Sequence, residues 1–166
     1  MVVEHLLNFA ILICLQLFFF VIHAVSVGEK KQIFTYLGKG MLLGLPFGII
    51  FDLVVGKYFG LFDYELGYQM WFLVLNGIFS YGFMTANVIL LRQHSLLHMY
   101  FWSSGLGLIY EIINHFFPVW QFTFGSALTE WISVVFVLYT GLIWLIMVAL
   151  RLVYRIPFQA VSFVKL

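Results

Sequence analysis

Charge is the first thing this sequence lacks. Only 9% of its 166 residues are Asp, Glu, Lys or Arg, against 64% hydrophobic. Water-soluble domains carry about 25% charged residues. A single core built from a chain this short cannot hide so much apolar surface. Lipid is therefore the expected solvent for most of it. The 8 basic residues nearly balance the 7 acidic ones, which gives no electrostatic footprint for nucleic acid. Cysteine is also scarce. Cys14 stands alone, so no disulfide can form within the chain, and its apolar run reads as packing.

Motifs of soluble enzymes are missing too. There is no phosphate-binding glycine loop and no dinucleotide fingerprint, so no cofactor is expected. Ser103-Ser104-Gly105 lacks the flanking pattern of a nucleophile elbow. The first residues contain Glu4 but no Lys or Arg, and the apolar run behind them is too long for a signal peptide core. That run is read as a retained helix. No internal repeat or low-complexity linker divides the chain, so residues 1–166 are taken as one domain.

What remains is a series of apolar stretches of membrane-spanning length. The pattern predicts an all-α, polytopic membrane helix bundle with helices near 6–27, 33–55, 70–91, 96–117 and 128–150. Gly40, Gly44 and Gly48 form a small-residue ridge for close helix packing. Pro46, between two of them, predicts a kink or a close contact. Residues 56–69 are too aromatic for a flexible linker and read as an interfacial loop or re-entrant turn. A second aromatic turn follows Pro118. Residues 151–166 read as a basic, amphipathic cytoplasmic tail on the membrane surface.

The positive-inside rule gives an orientation. With the amino terminus out and the carboxyl terminus in, Lys30, Lys31, Lys39, Arg92, Arg151, Arg155 and Lys165 all fall inside. Only Lys57 falls outside. The expected location is a bacterial cytoplasmic membrane.

That topology brings distant polar residues to one depth. Asp52 ends the second helix, Asn76 lies about 9 Å below the outer end of the third, and Glu130 opens the fifth. On the fourth, Ser104, Gly107, Glu111 and His115 make one small-and-polar stripe, with Asn114 at its edge. Glu111 and His115, four apart, share a helix face. Ionisable residues inside a bilayer are costly and mark functional sites by default. The expectation is an outer-leaflet cavity, floored by Ser80 and Gly107 and lidded by the aromatic loop. Desolvation disfavours the charged form of a carboxyl group, so such an acid can donate a proton near neutral pH. Aromatic walls suit a cationic ligand or a developing carbocation. The candidate catalytic residues are Glu111, His115 and Asp52. The candidate ligand-binding residues are Asn76, Ser80, Asn114, Glu130 and Ser104. Glu111 bonded to Asn76 or His115 as a packing device is the plainer alternative. No metal site is expected: His94 and His98 lie roughly 20 Å along the helix from Glu111 and His115, and either pair alone lacks ligands.

The run Phe51-Asp52, then Gly60-Leu61-Phe62-Asp63-Tyr64 and Gly67, then Asn76-Gly77, resembles small integral-membrane isoprenoid cyclases. These include the heterodimer-type lycopene cyclases and the fungal meroterpenoid cyclases. The Pro-x-Glu-Glu element of the lycopene cyclases is absent, and Asn76-Gly77-Ile78-Phe79-Ser80-Tyr81 stands near its place. The resemblance implies membrane-embedded acids that protonate or stabilise a polyene, with Glu111 as proton donor and Asp52 as second acid. Three functions stay open. One is binding of a membrane lipid or apolar, isoprenoid-like small molecule, with acid-catalysed chemistry on it. Another is a non-catalytic subunit packed against a membrane protein partner or a second copy. The third is a component of a proton or ion pathway.

Overall fold

The computed structural model describes residues 2–123 and 128–158, apart from the side chains of residues 2, 93, 96, 103, 104 and 128–136. The chain is mostly helical. Helix α1 (Val2–Ser26) is a mainly apolar helix, with Asn8, Gln16 and His23 buried along it, that stops before Gly28, whose φ of +78° suits a residue without Cβ. A short 3-10 turn leads to α2 (Ile33–Phe51), which continues as a π-helical segment, Asp52–Tyr58. Helix α3 (Met70–Asn76) passes through a second π-helical segment, Gly77–Tyr81, into α4 (Gly82–Leu90). Helices α5 (Leu96–Phe116) and α6 (Leu128–Tyr154) complete the bundle.

Among the described residues, four helical stretches are long and apolar enough to cross a membrane: Val3–Ser26, Lys30–Tyr58, Met70–Leu90 and Val137–Tyr154. Large apolar side chains face outward along them. Phe34 is 87% exposed and Leu42 71%, a surface that favours lipid over water.

The tightest packing lies between α2 and the segment from Gly77 to Ala86. A Cβ on Gly44 would fall 2.6 Å from the Gly82 Cα, and one on Gly48 would strike the Tyr81 ring. The glycine ridge therefore makes the close contact expected around Pro46, while Pro46 itself lies on the exposed face. The main core gathers Phe20, Ala86, Ile89, Ile146 and Leu150.

The two aromatic turns depart from expectation. They pair as a two-stranded antiparallel ribbon, β1 (Phe62–Tyr64) with β2 (Trp120–Phe122), in register Phe62 to Phe122, Asp63 to Gln121 and Tyr64 to Trp120. The ribbon closes one end of the bundle over Phe9, Leu66, Phe72 and Val119. The opposite end carries the Arg92–Glu29 ion pair, with Tyr36 donating to Glu29 at 3.2 Å. The carboxyl-terminal segment also differs. Helix α6 runs to Tyr154 and ends at Arg155, φ +54°. Ile156 and Phe158 return to the core instead of lying on the surface. Residues 159–166 of the expected tail lie outside the described residues.

Candidate functional site

Two buried carboxyl groups lie toward the ribbon end, on opposite sides of one cavity. Asp52 is wholly buried where α2 gives way to its π-helical segment. Its Oδ1 accepts from the Tyr81 hydroxyl at 2.6 Å and the Tyr64 hydroxyl at 2.9 Å. Its Oδ2 accepts from the Asn76 amide at 2.9 Å, and the same amide donates to the Tyr64 oxygen at 2.8 Å. Tyr81 comes from the second π-helical segment, and Asn76 immediately precedes it. Such segments recur at functional sites because they shift a side chain out of α-helical register. Tyr64 comes from β1. Tyr68 braces that strand by donating to the Phe62 carbonyl. Burial holds the Tyr68 phenol above its usual range, with Asp63 and Asp52 adding to the shift, so it stays a donor.

Glu111 faces this cluster from α5 and is 1% exposed. Its Oε1 accepts from the Tyr139 hydroxyl of α6 at 2.9 Å and from the Trp120 indole at 3.2 Å. Its Oε2 has no hydrogen-bond partner among the described residues. Gly107 gives Tyr139 its seat, since a Cβ there would stand 2.7 Å from the ring. Trp120 is set by Asn114. The Asn114 carbonyl accepts from the backbone N–H groups of Val119 and Trp120 at 2.9 and 3.2 Å, and its amide donates to the Trp120 carbonyl at 2.8 Å. This clamp turns the chain sharply after α5 and delivers the indole to Glu111.

Between the two carboxyl groups is a cavity of about 70 Å³, lined by aromatic rings from both halves of the bundle. The lining includes Tyr64 and Tyr81, which are bonded to Asp52, and Trp120 and Tyr139, which are bonded to Glu111. Gln16 of α1 and Ser80 add two polar groups. The volume holds several water molecules or one small chemical group. It is well below the roughly 300 Å³ at which whole-ligand pockets begin.

The structure thus sorts the residues that the sequence singled out. Glu111, Asn76 and Ser80 line the cavity. Asp52 does not; it stands behind Tyr64, Tyr81 and Asn76 and fixes their direction. Asn114 positions Trp120. Gly107 lies beneath Tyr139, beside a smaller space of about 20 Å³. His115 is exposed, lines neither space, and has its ring against Phe116. The side chains of Ser104 and Glu130 lie outside the described residues. His94 and His98 stack their rings 4.3 Å apart at the start of α5, away from the carboxyl groups. Among the described residues, no three His, Cys, Asp or Glu side chains gather as a metal site.

Several lining residues were not among the candidate site residues, notably Gln16, Tyr64, Tyr81, Tyr110, Trp120 and Tyr139. A signal for the tyrosines was present. A phenol in an apolar segment needs a hydrogen-bond partner when buried, and Asp52 and Glu111 were the acceptors available. No known protein family, no curated protein and no solved structure matches this chain.

Proposed function

We propose that this is an integral membrane protein whose cavity receives one end of a lipid-like or isoprenoid-like molecule and carries out acid–base chemistry there, with Glu111 as the acid. One observation carries the reading. Glu111 lines an aromatic cavity; its Oε1 is held by Tyr139 and Trp120, and its Oε2 has no hydrogen-bond partner among the described residues. A carboxyl group anchored through one oxygen keeps the other for proton transfer. Buried polar atoms without partners are otherwise rare, because each costs stability. The aromatic rings stabilise positive charge developing on the ligand. Asp52 holds Tyr64 and Tyr81 at the opposite wall and is a positioning residue.

The small volume fits this reading. A reactive end enters, while the long apolar remainder stays among the helices or in the bilayer. The proposed arrangement has five spans, with α5 as the one besides the four apolar stretches. The amino terminus is outside, because that orientation sets seven of the eight basic residues on the cytoplasmic side. The cavity then belongs to the outer leaflet.

The test is extraction of the full chain in mild detergent, followed by native mass spectrometry and lipid analysis of wild type and Glu111→Gln. The expected result is an apolar molecule that co-purifies with wild type and is depleted or chemically altered in the variant. A stoichiometric membrane protein partner, with no apolar ligand and no effect of the substitution, would sink the reading.

A further inference from the structure

The end of the bundle away from the ribbon is basic and poor in acids. Helix α6 reaches it at Tyr154, whose hydroxyl donates to the Lys39 carbonyl at 3.3 Å, while the Lys39 ammonium lies 5.7 Å from the centre of its ring. Lys39 is three residues along α2 from Tyr36, which donates to Glu29. That acid is paired with Arg92. The other acids lie elsewhere. Asp52 and Glu111 flank the cavity, and Asp63 and Glu65 belong to the ribbon or follow it directly. Glu4 is in the first turn of α1, and Glu130 is roughly 30 Å along α6 from Arg151. Residues 159–166 add Lys165 and no acidic side chain. At this basic end Arg151 and Arg155 line one open cleft of about 510 Å³ with Ile156, Pro157 and Phe158. The volume is in the range of whole-ligand sites, which that of the cavity beside Glu111 is not. Arg155 is exposed and has no ion pair among the described residues. Its φ of +54° is uncommon for a residue with Cβ. Buried neighbours hold the turn: Leu150, Ile156 and Phe158 are 0%, 8% and 3% exposed. A guanidinium group is thus carried on a fixed turn beside an apolar wall. A cation in the last turn of a helix complements the helix dipole, and Arg151 supplies it for α6. Arg155, past the last turn, is not needed for that purpose.

We infer that this cleft binds the headgroup of an anionic phospholipid, with the phosphate at Arg155 and Arg151 and the glycerol end along Ile156, Pro157 and Phe158. Guanidinium groups present paired N–H donors that match phosphate oxygens. The charge is uncompensated by acids of this chain, so the complement comes from outside it. Position favours a lipid over a free anion or an acidic protein. The cleft stands at the end of Val137–Tyr154, an apolar stretch long enough to cross a membrane, and that is the depth of the headgroups. Its apolar wall offers nothing to a free anion and suits the carbon next to a phosphodiester. In the proposed orientation the cleft faces the cytoplasmic leaflet, whose surface is negative. The inference does not depend on Glu111 or on the cavity it lines.

The experiment titrates the full chain in mild detergent with phosphatidylglycerol and with phosphatidylcholine of the same acyl chains. Occupancy is read by native mass spectrometry for wild type, Arg155→Asn, Arg151→Gln and Lys57→Gln. Asparagine tolerates the left-handed conformation, so Arg155→Asn removes the charge and keeps the turn; its unfolding midpoint checks this. Arg151→Gln removes the other guanidinium from within the helix and gives a second reading. Lys57→Gln takes away the same charge from the segment that leads to the ribbon. Wild type is expected to prefer phosphatidylglycerol. Arg155→Asn and Arg151→Gln are each expected to lower that affinity about fivefold and to leave phosphatidylcholine unchanged. Lys57→Gln is expected to change neither. Equal affinity of wild type for the two lipids overturns the inference. An equal loss in Lys57→Gln also overturns it, since the protein would then be answering to net charge alone. Full displacement of phosphatidylglycerol by inorganic phosphate would reassign the cleft to a free anion. An acidic protein that co-purifies with wild type and is lost in Arg155→Asn, with no lipid preference, would reassign it to a protein partner. Either result removes the lipid.

Discussion

Asp52 and Glu111 are buried carboxyl groups on either side of one cavity, and their surroundings differ in one respect. Asp52 has both oxygens occupied, by two phenols and an amide. Glu111 has one oxygen occupied and one free among the described residues. Full satisfaction makes a rigid structural node, and an open valence leaves chemistry to be done. The same residue class, at comparable burial, therefore takes two roles, and the neighbours decide which. The comparison teaches that acidity in a membrane bundle is a poor guide to function until the donors around each oxygen have been counted.

The largest test of this contrast is Asp52→Ala. It strips the acceptor from Tyr64, Tyr81 and Asn76 together and leaves buried donors unpaired. The expected loss is about 3–5 kcal/mol, measured by chemical unfolding in detergent micelles. Gly44→Val reaches the same node from outside. Its side chain would meet the Gly82 backbone, push α2 away from α4 and draw Tyr81 off Asp52. Overpacking of this kind costs roughly 2–3 kcal/mol. If Asp52→Ala proved milder than Gly44→Val, Asp52 would not be the node described.

On the Glu111 side the expected effects on stability shrink while those on the site grow. Asn114→Ala dissolves the clamp behind Trp120 and leaves the buried Val119 N–H without its acceptor. A loss of about 2 kcal/mol follows. Trp120 fluorescence, isolated by subtracting a Trp120→Phe variant, is expected to shift as the indole leaves Glu111. Glu111→Gln keeps an oxygen for Tyr139 and Trp120, so stability is expected to stay within about 1 kcal/mol of wild type while ligand is lost. If Glu111→Gln destabilised the protein as much as Asp52→Ala, the contrast would collapse into two structural nodes.

Much of the architecture was legible in the sequence because lipid imposes a simple rule. Every spanning helix needs a long apolar run, and the runs stand out against the turns. The glycine ridge was legible for a related reason, since small residues at every fourth position leave one face without side chains. The ribbon was not. Its strands are three residues each and pair Phe62 with Phe122 across α3, α4 and α5, and no local pattern encodes such a contact. The site was half legible. Glu111 stood out as an acid in an apolar helix, and Asp52 as a helix-end acid. Their partners did not, because tyrosine and tryptophan are also ordinary membrane residues. Gln16 escaped because an isolated amide eight positions from the next, Asn8, marks no pattern.

His115 gives the smallest expected effect and tests how far helix geometry alone can be trusted. Residues four apart share a face, and on that ground His115 belongs beside Glu111. A turn of helix also advances the chain by 5.4 Å along its axis. Here that step carries His115 to the last turn of α5, next to Phe116, beyond the tyrosine and tryptophan that enclose Glu111. The shared face does not bring the two side chains together: Glu111 is buried and His115 exposed. His115→Ala is therefore expected to leave both the unfolding midpoint and ligand occupancy unchanged. Loss of ligand in this variant, with the fold intact, would extend the site to the end of α5 and restore a second proton-bearing group beside Glu111.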